Sequence, residues 1–250
     1  MSCRLAVQLF TLRDQCAQDF DGAVQELHQI GYRAVELAGY YHYDYREMAR
    51  TLENYGVQVA GMHVPLVRLR EELEQVLEEA AAFQTQDIIC PGIPPAQRNE
   101  EGFRSVKTLL LNLAQKAQDK GFYVGYHNHA FELDTEVDGV TALEYVLNPD
   151  DGADIHPEID LYWIAKAKQD PMSFLKPYAG RIRNLHVKDM TSDDTADFAP
   201  VGNGCLDFEN ILPWARSAGV KWLVVEHDKC VNPMDSVEMS YNYLTGRGFH

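Results

Sequence analysis

The segment Tyr123-Val-Gly-Tyr-His-Asn-His-Ala-Phe-Glu132 ends a short apolar run on His127, Asn128, His129 and Glu132. Side chains alternate along a strand, so His127 and His129 share a face and with it a metal or a substrate. Three later segments end in the same way: Glu158-Ile-Asp160, Leu185-His-Val-Lys-Asp189 and Leu223-Val-Val-Glu-His-Asp228. His127, Asp160, His186 and Glu226 together offer two imidazoles and two carboxylates, a donor set that suits one divalent Mn, Co, Fe, Ni or Zn ion better than Mg or Ca. Any one of them alone is a polar strand end that braces its neighbours; four in succession predict a metal site assembled from distant pieces of chain.

The elements that must position these residues alternate along the chain. Leu5 to Phe10, Ala34 to Leu37, Val57 to His63, Asp87 to Pro91, Phe122 to Asn128, Ala153 to Asp160, Ile182 to Val187 and Trp222 to Glu226 read as strands. Helical spacing marks Phe20 to Ile30, Arg46 to Tyr55, Arg68 to Phe83, Asn99 to Lys120, Pro171 to Tyr178 and Phe208 to Ala218. The acidic residues of Arg68 to Phe83 are expected on a solvated face. Parallel strands need crossovers, and the helices supply them, so the pattern predicts an α/β fold, a (β/α)8 TIM barrel, as one domain over residues 1–250. Chemistry in that fold sits at the carboxyl ends of the strands, where these His, Asp and Glu residues fall. A doubly wound sheet would place a Gly-rich turn after its first strand; Gln8-Leu-Phe-Thr-Leu-Arg-Asp14 has no glycine.

The composition narrows the partners. A net charge of −16 over 250 residues argues against nucleic acid, which needs a basic surface to neutralise phosphates. No apolar stretch is long enough to span a membrane, and Met1-Ser-Cys-Arg-Leu-Ala-Val-Gln reads as the approach to a first strand, not a signal peptide. Five cysteines without a C-x-x-C pair indicate neither a disulfide framework nor a zinc knuckle. A cytoplasmic enzyme with a small-molecule substrate is the expectation.

His186-Val-Lys-Asp189, Val201-Gly-Asn-Gly-Cys-Leu-Asp-Phe208, Val225-Glu-His-Asp228 and Asp160-Leu-Tyr-Trp163 resemble the sugar phosphate isomerase/epimerase family. That family belongs to the xylose isomerase-like TIM barrels, with ketose 3-epimerases, inosose dehydratase and endonuclease IV. The resemblance spans almost the whole chain and implies a carbohydrate substrate, and in many members homo-oligomers built through the helical shell. In the epimerase branch Glu, Asp, His and Glu from strands five to eight bind one metal. Asp160, His186 and Glu226 match the last three, whereas His127 stands in place of the first glutamate. Those epimerases move a proton between two glutamates on opposite faces of the substrate, so the exchange removes one acid/base of the pair. Their D-x-x-H substrate motif is Asp160-Leu-Tyr-Trp163 here, and Ser192 occupies the place of their arginine. The sugar contacts of that branch therefore do not carry over.

A metal chelated by a carbonyl and a neighbouring hydroxyl stabilises an enediolate while a base removes the α-proton. Reprotonation isomerises or epimerises; expulsion of a β-substituent dehydrates or cleaves. Glu226, His129, Glu132 and His63 are the candidate bases, and Lys188 is the candidate oxyanion stabiliser, unless it pairs with Asp189 or Asp228. Glu36, His63, Glu132 and Trp163 are candidate substrate contacts, and Tyr40, Tyr41 and Tyr43 either stack on a sugar or pack. Gly202 and Gly204 offer backbone N–H groups to a phosphate, although few lysines or arginines lie nearby and an uncharged sugar or glycoside suits the pattern as well. The expected activity is a metal-dependent isomerase or epimerase on a sugar, keto-sugar or cyclitol. A lyase or dehydratase on a 3-keto sugar, 3-keto glycoside or inosose stands beside it. A repair nuclease and a non-catalytic sugar-binding barrel are the remaining readings, the first disfavoured by the acidic charge.

Overall fold

A computed structural model describes residues 3–149 and 152–250. Eight strands pair in parallel and close into a barrel: β1 Arg4–Gln8, β2 Ala34–Leu37, β3 Gln58–His63, β4 Asp87–Cys90, β5 Tyr123–His127, β6 His156–Asp160, β7 Asn184–Val187 and β8 Trp222–Val225. β1 closes the ring, with Arg4 to Val7 beside Trp222 to Val225 on one side and Gln8 beside Glu36 on the other. The expected eight-stranded α/β barrel is the observed fold.

The helices form where the sequence caps them. The Asp19 carboxylate accepts from Gly22 N–H and starts helix Phe20–Ile30; Asn99 does the same for Glu100–Gln118 through Gly102 N–H. Ala23, Val24 and Leu27, spaced for one helical face, are buried against the barrel.

Three expectations need correction. β1 stops at Gln8, whose side chain accepts from Phe10 N–H, and Leu9–Leu12 form a 3-10 turn that lifts Phe10 to the barrel mouth. The stretch from Arg68 to Phe83 is two helices, Leu66–Glu71 and Leu73–Ala82. The reason is visible in Arg68, whose guanidinium reaches Glu72 and both oxygens of Glu79. Eleven residues of continuous helix would hold residues 68 and 79 about 16 Å apart, so the contact requires the break. Glu79 is consequently 3% exposed rather than on a solvated face. Helices Leu161–Lys166 and Pro233–Thr245 follow β6 and β8, where the sequence reading marks none.

Inside the barrel, small and aromatic residues fill the middle: Ala6, Ala34, Ala60, Trp222 and Val224 pack together. Above them, toward the carboxyl ends, the next inward positions are Gln8, Glu36 and Glu226, all buried. The filling therefore turns from apolar to polar within one strand repeat. Among the described residues no helix is long and apolar enough to cross a membrane.

Candidate active site

Each polar strand end obeys the alternation of its strand. In Asn184-Leu-His-Val-Lys-Asp189, Asn184, His186 and Lys188 face inward. Asn184 donates to Glu36 Oε1 at 2.9 Å, His186 lies between Glu36 and Glu226, and Lys188 meets three carboxylates. Asp189 faces outward, and its carboxylate accepts N–H groups from Gly202, Gly204 and Leu206 at 2.9–3.1 Å. The backbone donors expected to bind phosphate thus already surround an aspartate.

His127-Asn-His129 divides its work in the same way. Asn128 Oδ1 accepts from Asp160 N–H at 2.9 Å and ties β5 to β6, while His127 and His129 enter the site with rings 5.2 Å apart. Asp160 uses Oδ1 to cap helix Leu161–Lys166 through Trp163 N–H, and turns Oδ2 to the Lys188 ammonium at 2.8 Å. Glu226 and Asp228 flank the same ammonium at 2.8 and 2.7 Å. Between them His227 points away, to Ser236.

Below Lys188 lies a second layer. Gln8 and Asn184 donate to the two oxygens of Glu36; His186 Nε2 is 2.7 Å from Glu36 Oε2, and His63 Nε2 is 2.7 Å from Glu158 Oε2. Gly61 makes the arrangement possible, because a Cβ there would stand 2.8 Å from both Asn184 Nδ2 and Glu36 Oε1.

Electrostatics follow from burial and proximity. Burial alone would raise Glu36 and Glu226; His63 and His186 beside the first, Lys188 and His186 beside the second, hold both well below the carboxylate range. Glu158 and Asp160 are raised, chiefly by burial. Burial works against the His63 cation, yet Glu158 and Glu36 lift its pKa to about 10. Burial, then the neighbouring Lys188, lowers His129 to about 4, so it is neutral at physiological pH.

His127, Asp160, His186 and Glu226 each contribute one donor atom, and the four atoms lie within 4.8 Å of one another. The residues the sequence grouped are therefore brought together. His127 and Glu226 line a cavity of about 330 Å3 at the carboxyl ends of the strands, whose walls also include Phe10, His63, His129, Lys188 and Asp228, while Asp160 and His186 are fully buried behind it. A larger cavity, about 810 Å3, opens at the other end of the barrel around Arg4, Asp87, Arg183 and Lys221. None of the polar strand ends reaches it, and Arg183 there is committed to Asp87.

Other candidates fall elsewhere. Glu132, expected as a base or a substrate contact, is fully buried: Oε1 accepts from Tyr126 OH and Oε2 from His129 N–H, both at 2.8 Å. The turn after β5 folds it under the strand end, so it braces His129 from behind. Glu36 is buried beneath His63 and His186, out of reach of the cavity. Trp163 backs the site, its ring 5.3 Å from that of His129 and its face 5.7 Å from Lys188 Nζ. Tyr40 hydrogen-bonds Glu79 and stacks on Phe83, while Tyr43 packs on Phe20; both are structural. Glu158, Gln8 and Asn184 were not singled out from the sequence. Glu158 and Asn184 stand two residues before Asp160 and His186, so the same alternation marks them.

Residues 24–244 match the family model described as xylose isomerase-like TIM barrel. Inosose dehydratases from Clostridium beijerinckii and Geobacillus kaustophilus are 21% and 22% identical to this chain. Each alignment covers 90% of it, and 88% and 86% of the respective relatives. Among solved structures, a sugar phosphate isomerase/epimerase from Parabacteroides distasonis superposes with a TM-score of 0.82 at 22% identity, over 98% of this chain and 94% of that one. The probable 3-DHS dehydratase AsbF from Bacillus anthracis gives 0.74 at 16% identity, over 98% and 99%. With its closed ring of eight parallel strands and a family match that spans most of its length, the chain belongs to the xylose isomerase-like TIM barrel family.

Proposed function

We propose that this protein is a divalent-metal-dependent isomerase or epimerase acting on a sugar, keto-sugar or cyclitol through an enediolate. The observation that carries the reading is the convergence of His127, Asp160, His186 and Glu226 beneath a cavity of sugar size. Two imidazoles and two carboxylates fit Mn, Co, Fe, Ni or Zn, and the buried Asp160 Oδ2 faces the Lys188 ammonium at 2.8 Å and His127 Nε2 at 3.9 Å. An ion held there supplies Lewis-acid polarisation of a substrate carbonyl.

The chain's own groups handle the protons. Glu226 at the end of β8 and His129 beyond β5 both border the cavity, and the His129 imidazole, kept neutral by burial, is able to accept a proton. A proton taken by one and returned by the other to the same carbon epimerises; returned to the neighbouring carbon it isomerises. His129 thereby replaces the acid/base lost where His127 stands for a glutamate. Lys188, although paired with Asp160, Glu226 and Asp228, borders the cavity, where its ammonium would stabilise a developing oxyanion. Phe10 limits water at the mouth.

A second reading is elimination from a 3-keto sugar, 3-keto glycoside or inosose, favoured by relatives that are inosose dehydratases over nine tenths of the chain. Both readings are tested together. Metal content is measured in the protein and in an Asp160→Ala/His186→Ala variant after exposure to Mn, Co and Zn. Keto-sugars and inososes are then incubated in deuterated water and followed by NMR. About one metal, lost in the variant, with deuterium entering the α-carbon of an otherwise intact sugar, is the expected result. Loss of water or aglycone selects elimination, and no metal with no exchange overturns both.

A further inference from the structure

A second group of cation-binding atoms lies beside the four ligands above and shares two of them. His63 from β3, His127 from β5, Glu158 from β6 and His186 from β7 each bring one donor atom, again within 4.8 Å of one another. Glu158 Oε2 is the hub, 2.7 Å from His63 Nε2, 3.0 Å from His127 Nδ1 and 3.3 Å from His186 Nε2. Donor atoms around a tetrahedral ion with bonds near 2.0–2.1 Å stand roughly 3.3 Å apart, so little widening admits one. The other oxygen, Glu158 Oε1, is buried and has no partner. A carboxylate oxygen left so in a side chain 1% exposed calls for a ligand.

The two groups share His127 and His186 through opposite edges of each ring. His186 turns Nε2 to the inner group and Nδ1 to Glu226 at 2.9 Å; His127 turns Nδ1 to Glu158 and Nε2 toward Asp160 at 3.9 Å. An imidazole binds metal through one nitrogen unless it sheds both protons, so an ion in one group disfavours an ion in the other. The outer group already contains a cation, since Lys188 Nζ is 2.8 Å from both Asp160 Oδ2 and Glu226 Oε2.

We propose that His63, His127, Glu158 and His186 form a second divalent-cation site, which takes the ion while the Lys188 ammonium fills the outer position. Three imidazoles and one carboxylate select Zn, Co, Ni or Fe over Mg. The inference rests on the reading of this barrel as metal-binding, and it places the ion on the His63 and Glu158 side of the two shared histidines.

Cobalt(II) is the probe, added to the full chain after chelator treatment, with affinity measured by equilibrium dialysis and elemental analysis. Glu158→Gln and His63→Asn are each expected to lower affinity at least about tenfold, the scale of losing one ligand. Asp160→Asn, which alters an outer ligand whose side chain makes no hydrogen bond to any of the four, should lower it by much less than the roughly tenfold that loss of a ligand or of a ligand's hydrogen-bonded partner brings. Circular dichroism identifies a variant that does not fold, and anomalous diffraction of unaltered crystals at the cobalt edge locates the ion independently. A peak about 2 Å from His63 and Glu158 is the supporting result. Cobalt lost in Asp160→Asn but retained in the other two, or a peak between Asp160 and Glu226, overturns the inference and leaves the proposed function standing. Peaks at both positions overturn the pairing of inner ion with outer ammonium. Absence of cobalt from every protein overturns the inference and the metal-dependent function together.

Discussion

Lys188 Nζ stands 2.8 Å from Glu226 Oε2, with the lysine 1% exposed. An ammonium so deep persists only with strong compensation, and Asp160 and Asp228 complete it. Despite burial, these three carboxylates hold the lysine pKa above its ordinary value. Lys188 is thus a fixed counter-ion at the centre of the site, positioned by the inward alternation of β7.

Removing that counter-ion leaves three buried carboxylates facing one another. Lys188→Met is expected to lower stability by about 3–5 kcal/mol in EDTA, as for a broken buried ion pair. Divalent metal should then raise the thermal midpoint of the variant more than that of the unaltered protein, because the outer ligands no longer hold an ammonium. Equal midpoints for the two proteins in EDTA would reject the counter-ion role.

Glu132 gives the fold a pH dependence of known sign. Burial raises its pKa to about 7, against about 4.3 for an exposed glutamate. Between those values the folded chain keeps a proton that the unfolded chain has released. Its contribution is therefore full below the unfolded pKa and lost as pH rises through 7. Glutamine reproduces the protonated form, its oxygen accepting from His129 N–H and its amide turned to the Tyr126 hydroxyl. Urea denaturation at pH 4.5 and pH 8 should show Glu132→Gln gaining on the unaltered protein by on the order of 3 kcal/mol across that interval. A constant difference at the two pH values would mean that Glu132 is ionised in the fold.

Asp189 makes a separable prediction, because it faces away from the metal ligands. Its carboxylate accepts from Met190, Gly202, Gly204 and Leu206 N–H groups. Asp189→Asn replaces one accepting oxygen by a donor, which leaves part-buried N–H groups without a partner at a cost of about 1 kcal/mol. Hydrogen exchange should accelerate at Gly202 and Gly204 while bound metal stays the same. Unchanged exchange there would show that the loop is held by something other than this carboxylate.

The barrel was legible because strand and helix periods alternate along the chain and no Gly-rich turn follows Gln8. Grouping His127, Asp160, His186 and Glu226 was legible for a related reason, since all end strands that must point the same way. Depth along the barrel axis is what alternation leaves out. Glu158 and Asn184 share faces with Asp160 and His186, yet one layer lower, and only the closed ring brings them against Glu36 and His63. Glu132 illustrates the opposite case: three residues beyond His129 in sequence, it is carried under Tyr126 by a turn whose path depends on packing. The break at Glu72 likewise depends on Arg68 reaching Glu79, a tertiary contact invisible to helix propensity.

Gly61 tests whether the lower layer governs the upper one. A methyl at this position would stand 2.8 Å from Asn184 Nδ2 and from Glu36 Oε1, atoms that are themselves hydrogen-bonded at 2.9 Å. Neither neighbour has room to retreat, since Glu36 is also fixed by Gln8 and by His186. Gly61→Ala should therefore cost about 1–3 kcal/mol as an overpacked core position. Because Glu36 orients His186 and His63, the variant should also shift their imidazole resonances while leaving that of the exposed His42 in place. Cobalt affinity should fall with them. A variant that loses stability but keeps both imidazole resonances and its cobalt would show that Glu36 supports the barrel without orienting the histidines above it.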